Sequence, residues 1–102
     1  MKLPDISVIK KDMGIPRHFK FLGFVICNPV KDDYLAEYAA STEAFAFSTW
    51  TPTPEFASKF DSYDSASDAF NRLELQGKAE ILMAFDLGSQ VAACEIPSDY
   101  LE

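Results

Sequence analysis

The sequence predicts an α+β fold in which a mainly antiparallel sheet of about five strands packs one short and one longer helix on one face, in the order β-β-β-α-α-β-β. Strand-like apolar runs precede and follow a central region of helical periodicity. The connections between these segments are short, as in sheets built from antiparallel neighbours. Of the 102 residues, 48% are hydrophobic, which fills one core but not two. We therefore expect a single domain over residues 1–102.

The N-terminal part of the chain divides into an arm and a first strand. Residues 1–17 contain two prolines and one glycine and show weak periodicity, which predicts an irregular basic arm that holds at most a short strand at 6–9. The run 19–27 is aromatic, β-branched and apolar on both alternating faces. This pattern is typical of a central strand that is covered on both sides. The α+β core is accordingly expected over residues 19–96.

Four further strands complete the predicted sheet. The short amphipathic segment 34–38 favours an edge strand over a single helical turn, and aromatic residues of 44–50 share one face, as in a third strand. After the helices, the apolar runs 79–85 and 90–96 are joined by four residues that include Gly88. This length and composition suit a hairpin, so the last two strands should pair antiparallel.

Two helices are predicted between the third and fourth strands. Thr53 as N-cap and Pro54 at the first helical position begin a short one. Ser65 and Asp68 resemble a capping box that begins the longer one, and Gly77 is placed to end it in the left-handed conformation. The apolar residues of the longer helix recur at helical spacing, which predicts one stripe facing the core: Ala66, Ala69, Phe70 and Leu73.

The distribution of charge is the most unusual feature of the chain. The net charge is −7, but residues 1–31 carry six basic and two acidic residues, whereas residues 32–102 carry fourteen acidic and three basic ones. A field of this sign repels nucleic acid and anionic membranes from most of the surface and attracts basic proteins. The acidic excess is also consistent with a simpler role in keeping a Phe-rich domain soluble.

No catalytic, cofactor or metal site is predicted. The one histidine, His18, has no catalytic partner near it in the sequence, so we interpret it as an exposed or strand-end residue. Cys27 and Cys94 lie in separate apolar segments without metal-ligand spacing and are expected to be buried free thiols. The glycines are isolated and form no phosphate loop, and the aspartate clusters lack the spacing of a calcium-binding loop.

The sequence contains one further candidate binding surface, a group of aromatic residues that could stack nucleic-acid bases. Phe19, Phe21 and Phe24 stand next to Arg17 and Lys20, and such aromatic side chains stack bases in single-strand binders. Phenylalanines at strand spacing are far more often core residues, however, and the acidic excess opposes contact with phosphates. We therefore expect no direct binding of nucleic acid.

Acidic residues around the longer helix form the candidate partner-binding site. If they lie on one side of the fold, they present carboxylates to a protein groove lined with Lys and Arg, as a nucleic-acid backbone would. The hypothesis is a non-enzymatic protein that binds and inhibits a basic, nucleic-acid-handling protein. The candidate residues are Asp61, Asp64, Asp68 and Glu74, joined by Asp32, Asp33 and Glu37.

The segment 50–60, followed by 65–70 and a strand pair, carries a family resemblance. In a small, acidic, stand-alone domain, this order of segments resembles small phage and prophage accessory proteins, among which anti-CRISPR proteins are prominent. The resemblance covers residues 19–96. It implies a non-enzymatic inhibitor, in the cytoplasm of a bacterial host cell, that docks on a CRISPR effector complex or its nuclease and blocks DNA access or nuclease recruitment. Because these proteins share no common motif, no functional residue carries over.

Two other classes of function remain open. An immunity or antitoxin-like protein would show the same acidity and the same lack of catalytic residues. A small enzyme or ligand-binding domain would instead have a pocket beside the sheet, formed by Tyr34, Tyr38 and Trp50 with a carboxylate. Convergence of these aromatic side chains in a cavity would indicate the enzyme, whereas acids on a flat or convex exposed face would indicate the inhibitor.

Overall fold

Over the residues that the structure describes, the fold is one antiparallel five-stranded sheet with two α-helices, which confirms the predicted α+β class. The computed structural model describes residues 3–42 and 45–101, with side-chain detail over 3–38 and 48–101. Ala44 of the predicted third strand and the first two residues of the predicted arm lie outside the described residues. In chain order the elements are α1 (Ile6–Met13), β1 (Lys20–Asn28), β2 (Asp33–Thr42), β3 (Phe45–Thr51), a 3₁₀ turn (Pro54–Phe56), α2 (Tyr63–Arg72), β4 (Glu80–Asp86), β5 (Val91–Glu95) and a C-terminal 3₁₀ turn (Ser98–Leu101). The strands lie in the order β3-β2-β1-β4-β5.

Strand β1 lies at the centre of the sheet and is buried on both sides. Phe24 and Ile26 face the layer that contains α1 and α2. Val25 and Cys27 face the opposite side, where they pack with small and aliphatic residues of β4. Because all four side chains are buried, the prediction of a doubly covered central strand in the run 19–27 is confirmed.

The segment that follows the first 3₁₀ turn inserts between β1 and β2. These two strands form residue pairs at the C-terminal end of β1. Farther back along β1, the main chain of Phe60 takes the place of β2 and exchanges two hydrogen bonds of 2.8 Å with Phe24. The Ser58 N–H donates to the carbonyl oxygen of Leu35, also at 2.8 Å. Residues 58–60 therefore bridge a split in the sheet.

The 3₁₀ turn before this segment is held by Lys59. Its ammonium group donates to the main-chain oxygens of Pro54, Glu55 and Ala57 at 2.9, 2.9 and 3.0 Å, which satisfies carbonyl groups that a short turn leaves open. Burial lowers the pKa of the Lys59 amino group, and the Glu55 carboxylate opposes that change. Ala57 packs in the same cluster as Val25. The predicted short helix is thus a single 3₁₀ turn, and it covers the face of the sheet opposite α2 rather than the same one.

Helix α2 begins earlier and ends earlier than the sequence predicts. The Ser62 hydroxyl oxygen accepts the N–H of Ser65 at 3.1 Å, so Ser62 is the N-cap and the predicted capping box at Ser65 is wrong. Glu74, with a φ of 54°, takes the left-handed position after Arg72, whereas Gly77 lies in the next turn. The predicted core-facing stripe is confirmed, with two fully buried and two partly buried side chains: Ala66, Ala69, Phe70 and Leu73.

The N-terminal arm is a helix, so the prediction of an irregular arm with a short strand at 6–9 is wrong. Ile9 is completely buried in the core on the helix side of the sheet, and Ile6 and Met13 pack against the same cluster. These three residues have the i, i+3, i+7 spacing of one helical stripe, which the nearby prolines obscured. Gly14 ends the helix in the left-handed conformation with a φ of 69°.

Polar contacts tie α1 to the rest of the molecule. The Tyr100 hydroxyl of the C-terminal turn donates to the Asp12 carboxylate, and this hydrogen bond raises the pKa of the Tyr100 hydroxyl. The Lys10 ammonium group donates to the carbonyl oxygens of Arg17 and Phe19 at 2.9 and 2.6 Å. Neither α1 nor any other helix in the described part of the chain is long and apolar enough to cross a bilayer.

Candidate functional site

Three of the predicted partner-binding residues form one row along α2 and the residues just before it. Asp64 and Asp68 stand four residues apart on the helix, so their side chains lie on the same side, one turn from each other. Asp61 precedes the helix by two residues, and all three side chains are exposed. We call Asp61, Asp64 and Asp68 the helix acids.

The helix acids are carried by a firmly packed helix. Ser62 caps the N-terminus, and Asp64 lies in the first turn, where the partial positive charge of the helix end stabilises a carboxylate. On the opposite side, Ala66 and Ala69 are completely buried, one in each of the two core clusters below the helix. This packing fixes the side of α2 that carries Asp64 and Asp68, which is opposite to the buried side.

The N-terminal helix adds an acid that the sequence reasoning missed. Asp5, directly before α1, lies with Asp61 and Asp64 around a shallow cleft of about 280 Å³. The cleft floor includes Phe21 and Phe24. Asp5 was placed in a basic arm by its position in the sequence, and only the folding of the arm as a helix brings its carboxyl group to the acidic end of α2.

The remaining predicted residues lie elsewhere. Asp32 lies in the turn between β1 and β2, and Asp33 is the first residue of β2, where it pairs with Asn28 at the end of β1. We call Asp32 and Asp33 the turn acids. That end is about 13 Å along the strand from Phe24, which pairs with the residue before Asp61. Asp32 is exposed but Asp33 is half-buried. The turn acids are therefore a separate group from the helix acids.

Glu74 and Glu37 are the last two predicted partner-binding residues, and both are exposed. Glu74 follows the C-terminal end of α2, and Glu37 lies on β2. Neither belongs to the row formed by the helix acids. The structure thus brings three of the seven predicted residues together and distributes the other four over three further parts of the surface.

The helix acids are weakly compensated by positive charge. One ion pair occurs among the described side chains, between Arg72 Nε and Asp68 Oδ2 at 3.0 Å. Both side chains are more than half exposed, so water screens this pair. Lys10 and Lys59 direct their ammonium groups to main-chain carbonyl oxygens instead. The basic N-terminal residues that the structure describes form no ion pair that would neutralise the acidic row.

Comparison with known proteins identifies no relative of this chain. No protein-family model, curated protein or solved structure matches the chain. Its function is therefore inferred from its own residues and their geometry.

The histidine and the nearer cysteine lie at opposite ends of β1. His18 is exposed, and its ring packs edge-on against Phe19 with a centroid distance of 4.8 Å. The strand from Lys20 to Cys27 spans about 23 Å, so the imidazole cannot serve as a base for the thiol. Burial raises the pKa of the Cys27 thiol, and the carboxylates of Glu80 and the turn acids raise it further. A protonated thiol of this kind is a poor nucleophile.

Both cysteines are free thiols in the structure. Cys27 is buried, as predicted, whereas Cys94 is only partly buried, and burial raises the pKa of its thiol. In the described parts of the chain, no group of three or more His, Cys, Asp or Glu side chains is arranged to hold a metal ion.

The three aromatic residues proposed for an enzyme pocket do not converge. Tyr34 packs on the face of the sheet that is covered by the 3₁₀ turn. Tyr38 and Trp50 pack against the α2 face. The ladder between β2 and β3 shifts its register between Leu35 and Glu37, and such a bulge changes which face the following side chains occupy. Tyr34 therefore does not share a pocket with Tyr38 and Trp50.

The phenylalanines considered as a base-stacking platform are also divided. Phe24 is only 4% exposed and belongs to the core. Phe21 is partly buried and contacts it edge-on at a centroid distance of 5.3 Å. Phe19 packs beside His18. No flat row of three exposed rings is formed by Phe19, Phe21 and Phe24, so they do not supply a stacking surface.

A basic groove that the sequence reasoning missed lies between α1 and the start of β1. Its volume is about 930 Å³. Apolar side chains of Ile6, Ile15 and Phe21 line it together with the basic residues of 10–20. The spacing of these basic residues in the sequence could have indicated the groove, but only if residues 6–13 had been recognised as a helix.

Proposed function

We propose that the chain is a non-enzymatic acidic protein that binds a basic, nucleic-acid-handling protein and inhibits it by occupying the surface that contacts phosphates. The resemblance of residues 50–60 and 65–70 to phage and prophage accessory proteins makes a CRISPR effector complex or its nuclease the partner to test. In that setting the chain acts in the cytoplasm of a bacterial host cell and blocks DNA access or nuclease recruitment.

The observation that carries the proposal is the exposed row of helix acids on a packed helix. Asp64 and Asp68 are separated by one helical turn, about 6 Å along the axis. One strand of duplex DNA carries a phosphate about every 3.4 Å along its axis, so the row has roughly half the linear charge density of that strand. On the partner protein, a phosphate-binding surface lined with Lys and Arg would attract such a row of carboxylates over the distance of a Debye length, about 10 Å at 0.1 M salt.

The shape of the acidic surface also favours a protein partner. Asp64 and Asp68 project from α2, and Asp61 and Asp64 border a shallow cleft of about 280 Å³. A small substrate would need a concave site that surrounds most of its surface. Carboxylates on a projecting element instead fit a groove on the surface of another macromolecule, where charge complementarity increases the association rate and fixes the orientation.

Charge reversal of the helix acids tests the proposal. We expect Asp61→Lys combined with Asp64→Lys to raise the concentration needed for half-maximal displacement of labelled DNA from the effector by at least about tenfold. The measurement is fluorescence anisotropy of a labelled target duplex bound to a purified effector complex. The double variant should remain folded, because exposed substitutions change stability by about 0.5 kcal/mol each and the loss of Asp64 from the first helical turn adds about 0.3 to 1 kcal/mol.

A second double variant controls for net charge. Glu95→Lys combined with Asp99→Lys makes the same change in total charge at two exposed positions outside the predicted set. We expect this variant to displace DNA nearly as well as the original chain. Equal displacement by the helix-acid variant and the original chain, with both folded, would remove the helix acids from the interaction.

A further inference from the structure

The basic groove has an apolar floor and a cationic rim. Ile6 of α1, Ile15 after the helix and Phe21 of β1 supply the apolar surface. Lys11, Arg17 and Lys20 supply the positive charges, and all three are exposed. The volume of about 930 Å³ lies in the range of about 300 to 1,000 Å³ that is usual for small-molecule sites.

The walls of the groove are formed before any ligand binds. Lys10 joins α1 to the following loop through hydrogen bonds to the carbonyl oxygens of Arg17 and Phe19 at 2.9 and 2.6 Å. The Phe21 ring is fixed by contacts with Phe24 and Phe85, at centroid distances of 5.3 and 5.5 Å. Preorganisation of this kind lowers the entropy that a ligand must lose on binding.

The charge of the groove contrasts with the charge of the chain. Among its described lining residues there is no carboxylate, although the whole chain has a net charge of −7. Asp86 lies opposite Lys20 in the ladder between β1 and β4, but the two form no ion pair among the described side chains. The rim cations are therefore free to attract an anionic group, and a site partly lined by apolar walls strengthens that attraction.

We propose that the basic groove binds a small amphipathic carboxylate of the fatty-acid kind. The alkyl chain lies against Ile6, Ile15 and Phe21, and the carboxylate is paired with the cations of Lys11, Arg17 and Lys20. Three large apolar side chains favour an alkyl chain over a sugar-phosphate polymer, which would expose polar groups to them. Free fatty acids and the anionic lipids of a membrane both combine an alkyl chain with an anionic group. We assign the groove to the free fatty acid.

Isothermal titration with decanoate below its micellar concentration tests this site. We expect decanoate to bind at least about tenfold more tightly than acetate, because acetate lacks the apolar chain. Arg17→Glu combined with Lys20→Glu should weaken decanoate binding by at least about tenfold. Lys31→Glu combined with Lys78→Glu, at exposed positions outside the groove, makes the same charge change and should leave decanoate binding intact. Thermal unfolding of each variant establishes that it is folded.

Three results would overturn the assignment. The first is the absence of heat from decanoate with the original chain, and the second is equal binding by the folded groove variant. The third is sedimentation with phosphatidylglycerol vesicles, abolished by the groove substitutions, when monomeric decanoate does not bind. That third result would assign the cations to a lipid surface. The Asp61 and Asp64 double variant should bind decanoate normally. The result for the groove is therefore independent of the result for the proposed inhibitory function.

Discussion

Replacing Phe24 by alanine is expected to lower the free energy of unfolding by about 3 to 5 kcal/mol. The ring is 4% exposed and lies in the core cluster between α1, α2 and the sheet. It contacts Phe21 and Tyr63 edge-on, at centroid distances of 5.3 and 6.0 Å. Its loss leaves a cavity among side chains that come from four different elements, and these cannot all move inwards to fill it.

Urea denaturation of the alanine variant measures this effect, with Phe56→Ala as the matched control. Phe56 is 75% exposed, so the same substitution there should change the free energy of unfolding by about 0.5 kcal/mol or less. Stabilities of whole domains are about 5 to 15 kcal/mol, so the Phe24 variant should lose a large part of its stability. Similar losses in the two variants would mean that the Phe24 ring is not the centre of the core.

Replacing Gly23 by alanine is expected to lower the free energy of unfolding by about 2 to 5 kcal/mol. Gly23 has a φ of 135°, which side-chain-bearing residues rarely adopt. A Cβ atom there would lie 2.8 Å from the carbonyl oxygen of Phe60, and that oxygen is in the main-chain pairing with Phe24. The neighbour cannot move away without breaking the bridge across the split in the sheet.

Gly77→Ala separates the cost of the positive φ from the cost of the close contact made by the added Cβ atom. Gly77 also has a positive φ, of 77°, but a Cβ atom there would meet nothing within 4 Å. Its replacement should therefore cost only the backbone term, about 1 to 2 kcal/mol. If Gly23→Ala were no more destabilising than Gly77→Ala in chemical denaturation, residues 58–60 would not be inserted against β1 as described.

The fold class could be predicted because its signals are local. The strand pattern of the apolar run 19–27 is visible within a few residues. The helical period of the stripe that includes Ala66 and Ala69 is visible within a few turns. The position of the 58–60 segment has no such signal, since it depends on main-chain contact between residues far apart in the sequence. An isolated glycine within a strand, Gly23, was the one local sign of a close backbone approach.

The N-terminal helix was missed for a physical reason. Only eight residues form α1, and an isolated helix of that length is unstable in water. Its stability comes from burial of Ile9 and from the contacts of Lys10 and Asp12 with other parts of the chain. Tertiary packing thus decides the conformation of a segment in which local propensity is weak.

The exposure of the acids around α2 could be predicted, but neither their grouping nor the addition of Asp5 could be. Charge counting placed the acids after residue 31, and the structure agrees that Asp61, Asp64 and Asp68 are exposed. Which acids share a row depends on where α2 begins and on the separation of Asp32 and Asp33 from it. The basic groove could not be foreseen for the same reason, because its walls exist only once α1 has folded against β1.

Capture of a purified effector by the tagged chain tests the central proposal, the inhibition of a nucleic-acid-handling protein, most directly. The chain is immobilised, and a panel of CRISPR effector complexes is passed over it at salt concentrations from about 0.05 M to about 0.5 M. We predict that one effector is retained at low salt and released at high salt, and that the Asp61 and Asp64 double variant fails to retain it. Retention of no effector at any salt concentration would contradict the proposal.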